Sequence, residues 1–289
     1  MDWINAAAQG VLLGGFYALL ASGLSFLFGV MRIANLAHGA SVVLAAYLAL
    51  WVLELTGVPW FVTLVVVVPL IAALGWVLQL SILNRALERG GLAPILVTFG
   101  LAVALSSLIQ QLFSADSRSI PAPGLGEASI AVAPGLAIGV LPLLTFGIGI
   151  LVIVVLQLFL ARTRLGRAIR AASDDASAAQ LMGIDTKRIF ALAAALAMAT
   201  VGVAGVVLGL RTQFTPVYGN LVLIFAFEAV IIGGLGSLWG TLAGGLILGL
   251  AQTIGAQIFP GYGVLIGHLV FLVLLAARPS GLLPKAVTA

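Results

Sequence analysis

Long apolar runs, broken by short clusters of charged and turn-forming residues, organise this chain from end to end. A helix needs about 20 largely apolar residues to cross about 30 Å of hydrocarbon. Nine stretches approach that length: residues 5–29, 36–55, 60–83, 92–114, 141–161, 189–210, 221–238, 240–258 and 263–277. Gly233, Gly234, Gly236 and Gly240 crowd the junction of the seventh and eighth. A re-entrant or broken helix there would replace two crossings and leave about eight. The expected fold is all-α, a polytopic transmembrane helical bundle of eight or nine spans, treated as one membrane-spanning domain over 1–289. An inverted structural repeat is compatible with it, although no strict sequence repeat is evident.

The connections between runs set the orientation. With residues 162–188 in the cytoplasm, alternate crossings place Arg32, Arg85, Arg89, Arg162, Arg164, Arg167, Arg170, Lys187, Arg188, Arg278 and Lys285 on that side, and leave only Arg118 and Arg211 opposite. Cytoplasmic enrichment of Lys and Arg is what orients helical membrane proteins. It predicts an external N-terminus and a cytoplasmic C-terminus, an arrangement that nine crossings also require. The connection 115–140, with Pro121, Pro123, Pro134 and several glycines, reads as turns rather than a folded domain.

Composition narrows the class. Residues are 62% hydrophobic and 8% charged, with a mean hydropathy of +1.25, whereas soluble domains carry about 25% charged residues. Thirteen basic and nine acidic side chains cannot cover a water-facing surface, so lipid must solvate most of the exterior. The net charge of +4 lies between apolar runs and serves topology; no nucleic-acid partner is expected. No basic segment precedes Arg32, so the first apolar run is expected to be retained and not cleaved as a signal peptide. With no cysteine, disulfides and thiolate metal sites are excluded.

Candidate chemistry is sparse. A phosphate-binding loop needs a Gly-Lys pair, yet the two lysines, Lys187 and Lys285, follow Thr186 and Pro284. Any ATP hydrolysis must therefore come from another polypeptide. His38 and His268 belong to no H-E-x-x-H zinc motif, so no enzyme, metal or cofactor is expected in this chain. In the loop 162–188, Ser173 is the expected N-cap of a short helix, with Asp174 and Asp175 at its positive end, Ala176 to Met182 helical and Gly183 as the stop. Asp185 should cap the next span. On these grounds alone the loop reads equally as a docking element or a solvated positive-inside connector. RIANLAHG, from Arg32 to Gly39, packs Asn35 and His38 among small residues between two spans. It would line a passage or glue helices together. Glu228 lies about 12 Å into its span, where a carboxylate costs about 2.5–3.5 kcal/mol on insertion scales and must face protein or water. It is either a solute-path residue or a packing acid.

Four segments carry a resemblance over almost the whole chain: FGVMRIANLAHGA at 28–40, LGRAIRAASDDASAAQLMGID at 165–185, IIGGLGSLWGTLAGG at 231–245 and ARPSGLL at 277–283. They resemble the permease subunits of branched-chain amino acid ABC importers. The resemblance implies ATP-driven import of branched-chain or related small amino acids at a bacterial inner membrane. It also implies a second, homologous permease, two cytoplasmic ATPase subunits that bind the ATP, and an external solute-binding protein. It favours a coupling role for the loop, through Gly166, Arg167, Arg170, Ser173, Asp174, Asp175, Ala178, Met182 and Gly183. Related permeases handle urea and short amides, which remain an alternative, as does an ion-coupled secondary transporter using Glu228. No family motif transfers a substrate contact to Asn35, His38 or Glu228, the candidate translocation-path residues.

Overall fold

The structure, a computed structural model, describes residues 2–133 and 136–283; Lys285 and Pro134 of the sequence argument lie outside them. The helices, in order, are α1 (Asp2–Met31), α2 (His38–Thr56), α3 (Trp60–Leu78), α4 (Asn84–Arg89), α5 (Ala93–Phe113), α6 (Val140–Arg162), α7 (Arg164–Asp174), α8 (Ala176–Leu181), α9 (Thr186–Arg211), α10 (Gly219–Gly233), α11 (Leu238–Ile258) and α12 (Gly263–Ala277). A π-helical turn, Gln79–Leu83, joins α3 to α4 without a break. Eight of these helical segments are long and apolar enough to cross a membrane by length and composition. The ninth expected span forms as α12, a helix of 15 residues, about 22 Å long at 1.5 Å per residue.

The sequence reading of residues 115–140 as turns is corrected in part. Strands β1 (Ser129–Ala133) and β2 (Leu136–Gly139) pair antiparallel, with Ile130 opposite Ile138. The Ile and Val in SIAVA and LAIG carry β propensity, which the surrounding prolines and glycines masked.

The described residues form two compact units built from separate stretches of chain, one from 1–25, 122–153 and 224–289, the other from 26–121 and 154–223. In the second unit α9 is the most buried span. Its face of Ala191, Ala194, Ala197, Val201 and Gly205 is enclosed, and Gly205 and Gly202 meet the backbones of α2 at Val42 and α3 at Val68. Without a hydrophobic drive between helices in lipid, close approach through small residues supplies the dispersion that holds them. In the first unit Ala21, Leu24, Ala226, Ala229 and Val230 form a buried cluster, and Thr241 Oγ1 bonds Ser25 Oγ at 2.7 Å. Phe61, Val65 and Leu70 of α3, Leu96, Phe99 and Val103 of α5, and Leu265, Leu269 and Val273 of α12 are exposed. Apolar rows of this length suit lipid or another apolar subunit, not water.

Candidate transport and coupling sites

The connection between α6 and α9 is structured throughout, all of it in the second unit. Thr163 Oγ1 accepts from Gly166 N at 2.9 Å and starts α7. Gly166, Ile169 and Ala172 are buried, while Arg164, Arg167 and Arg170 are exposed on the other side. That three-residue spacing makes α7 amphipathic. Here the sequence expectation is corrected. Ser173 is not an N-cap, and Asp174 closes the last turn of α7, because the apolar stripe from Gly166 carries the helix past both. The Ser173 hydroxyl instead donates to Gly29 O at 2.8 Å. The backbone first turns extended at Asp175, whose Oδ1 accepts from Ser177 N and Ala178 N at 2.8 and 3.0 Å. Asp175 alone therefore caps α8.

At the far end Gly183, with φ of +83°, donates to Gln180 O. The left-handed conformation that glycine allows at no steric cost ends α8 there. Asp185 Oδ1 then accepts from Arg188 N at 3.1 Å and starts α9, as the sequence suggested. Ala178, Leu181 and Met182 face outward, Leu181 at 90% and Met182 at 82% exposure. Two large apolar side chains so exposed, at the last residue of α8 and the one after it, form a small unpartnered patch.

The segment Arg32–Gly39 lies in the same unit. Asn35 Oδ1 accepts from Ala37 N at 3.0 Å, and Asn35 O accepts from His38 N. Asn35 thus builds an Asx turn that aims the chain into α2. His38 is the first residue of α2 and is 1% exposed. Beside it a Cβ on Gly39 would strike the Gly219 carbonyl, so the starts of α2 and α10 touch backbone to backbone. At the opposite ends of α2 and α5, an open pocket of about 490 Å³ is lined by Trp51, Glu54, Phe113, Asp116 and Arg118 among others. Arg118 and Asp116 pair there at 3.8 Å.

Glu228 belongs to the first unit, so the candidate path residues are divided between the units. It is 4% exposed, and its Oε1 lies 2.5 Å from His268 Nδ1 of α12. His268 stacks on Phe225, which packs on Tyr17, whose hydroxyl donates to Gln252 Oε1 at 2.5 Å. Sequence reasoning did not pair His268 with Glu228. The signal was present: each is the ionisable side chain of an apolar run, and an acid in hydrocarbon needs a partner from a neighbouring helix.

Comparison with known proteins follows the same lines. The family described as branched-chain amino acid transport system, permease component, matches residues 6–276. The chain is 31% identical to the high-affinity branched-chain amino acid transport system permease protein BraD of Pseudomonas aeruginosa, over 98% of this chain and 96% of that one. It is 28% identical to the corresponding LivH of Escherichia coli K12, over 96% and 94%. A probable LivH of Methanocaldococcus jannaschii is also 28% identical, over 94% and 90%. Apolar helical spans, four sequence motifs in order and a match along nearly the full length agree: the chain belongs to the branched-chain amino acid transport permease family.

Proposed function

We propose that this protein is the membrane permease subunit of an ATP-driven importer of branched-chain amino acids. The observation that carries the reading is the family match from residue 6 to residue 276, supported by full-length relatives named for that transport. ATP is bound and hydrolysed by separate cytoplasmic subunits, and a second, homologous permease completes the passage. An external solute-binding protein meets the end that carries Glu54, Asp116 and Arg118, whose mixed charges suit a polar partner surface. The N-terminus is outside and the C-terminus cytoplasmic, as the basic residues of the loops favour.

Transport follows alternating access: ATP binding draws the partner subunits together, and the spans move between outward-open and inward-open arrangements. The loop around α7 and α8 receives that motion. Supporting this are its amphipathic arginine-bearing helix, its two capped ends and the outward Leu181 and Met182. The candidate solute-path residues are Glu228 in the first unit, and His38 in the second, where Asn35 shapes the turn into α2.

Membranes holding the complete transporter test the reading by leucine uptake, ATPase activity and co-purification of the ATPase. Ala178→Trp adds bulk where a docking groove would have to close. Uptake should fall at least tenfold at equal permease level, through uncoupled hydrolysis or release of the ATPase. Normal uptake with normal ATPase retention would return the loop to a solvated connector.

A further inference from the structure

The second unit contains a continuous polar linkage from the start of α9, where the loop 162–188 ends, to a buried side chain in the unit's interior. It begins at Lys187, the second residue of α9, whose Nζ meets Glu88 Oε1 at 2.6 Å and whose carbonyl accepts from Asn84 Nδ2 at 3.3 Å. Asn84 Oδ1 in turn accepts from Gln79 Nε2 at 3.0 Å. Asn84 and Gln79 are also joined through the backbone, where Asn84 N–H donates to Gln79 O and closes the π-turn. The two amides therefore clamp that turn twice, once through main chain and once through side chain. Both are buried, Gln79 completely.

Beyond Gln79 lies a small cavity of about 20 Å³, lined by Asn35, Ser41, Gly75, Gln79 and Met198 among others. Gln79 Oε1 has no hydrogen-bond partner among the described residues. A buried amide oxygen left unbonded forfeits its hydration without a bond in return. An amide with one anchored end, one open acceptor and free volume beside it can exchange partners without leaving its site. π-turns are costly insertions in an α-helix and recur where a helix must change shape. Resting on the reading of α7 and α8 as the ATPase-facing segment, we infer that Gln79 and Asn84 are positioning residues for transport. They carry displacement of the loop at Lys187 into the cavity beside Asn35, and the π-turn Gln79–Leu83 is the hinge.

The test is leucine uptake and ATP hydrolysis measured together in liposomes holding the whole transporter and its binding protein. Gln79→Met and Asn84→Leu keep side-chain bulk and remove the amide contact. Each should lower uptake at least fivefold while hydrolysis stays within twofold, so that more ATP is spent per leucine. The double variant should be no worse than the worse single one, because both cut the same link. Exchanging the pair, Gln79→Asn with Asn84→Gln, restores one long and one short amide and should recover at least half of the uptake. Uptake and hydrolysis falling in step, no change in either, or failure of the exchange to recover transport would overturn the inference. Ala178→Trp in the same preparation separates this from the underlying reading. If it uncouples while the amide variants do not, the hinge alone fails; if it leaves transport and ATPase retention untouched, the docking reading fails with it.

Discussion

A buried acid decides more in this chain than its single charge suggests. Glu228 Oε1 sits 2.5 Å from His268 Nδ1, and the two residues come from helices separated by the whole of α11. Glu228 is buried while the His268 side chain is 32% exposed, so removing His268 strands a buried acid at a cost of about 1–3 kcal/mol for the lost hydrogen bond, and removing Glu228 costs less. His268→Leu should lower the Tm of the detergent-solubilised protein by several degrees, and Glu228→Leu by less. The double variant should lose markedly less than the sum, since neither group is then left alone. Strict additivity would show that the contact contributes nothing to stability. Glu228→Gln keeps the shape and a hydrogen bond to the imidazole, so it should fold at normal yield. Its uptake should fall if ionisation matters to the path; unchanged uptake, pH dependence and expression would rule out an essential charge.

At the scale of elements, spans were legible and the caps between them only partly so. Apolar length in water-excluding surroundings leaves a backbone no choice but helix, which is why runs such as 36–55 and 92–114 returned as α2 and α5 within two residues of their expected ends. Ser173 misled because a hydroxyl before two aspartates has the local chemistry of a cap, while the decisive fact was the apolar stripe Gly166, Ile169 and Ala172 packing α7 inward. Tertiary burial outweighed local preference. The Gln79–Asn84 amide pair and the Ser173 bond to Gly29 gave no signal, since the first meets only where a π-turn replaces the α-helix and the second depends on tertiary packing. The reassigned cap can be checked by hydrogen exchange. Asp175→Ala removes the side-chain acceptor of two backbone N–H groups, costs about 1 kcal/mol at an N-cap and should speed amide exchange across 176–182. Ser173→Ala should leave that segment unchanged and loosen the last turn of α7 instead. The reverse pattern would reinstate Ser173 as the cap.

For the whole molecule the number of crossings turns on α12. Its 15 residues span about 22 Å, short of a hydrocarbon layer of about 30 Å. Yet the chain beyond it does not stop at mid-depth. Leu282 N and Leu283 N donate to the carbonyls of Ile232 and Gly233, the last residues of α10, and the next helix, α11, sets out from that same end at Leu238. The chain after α12 thus returns to the end of α10 from which α11 departed. Residues 278–281 close a turn, with Gly281 N donating to Arg278 O at 3.0 Å, and Arg278 at the helix end can reach a charged interface. If α10 and α11 both cross, α12 crosses too, and the residues after it share a face with the turn between them. With the loop 162–188 cytoplasmic, nine crossings put that face in the cytoplasm. The chain has no cysteine, so single cysteines report position without background. Ser177→Cys and Ser280→Cys should react with an impermeant maleimide only from the cytoplasmic side of oriented vesicles, and Ser119→Cys only from the outside. Labelling of Ser280→Cys together with Ser119→Cys would reduce the count to eight. Labelling of Ser177→Cys from the outside would invert the orientation and remove the loop from reach of any ATPase.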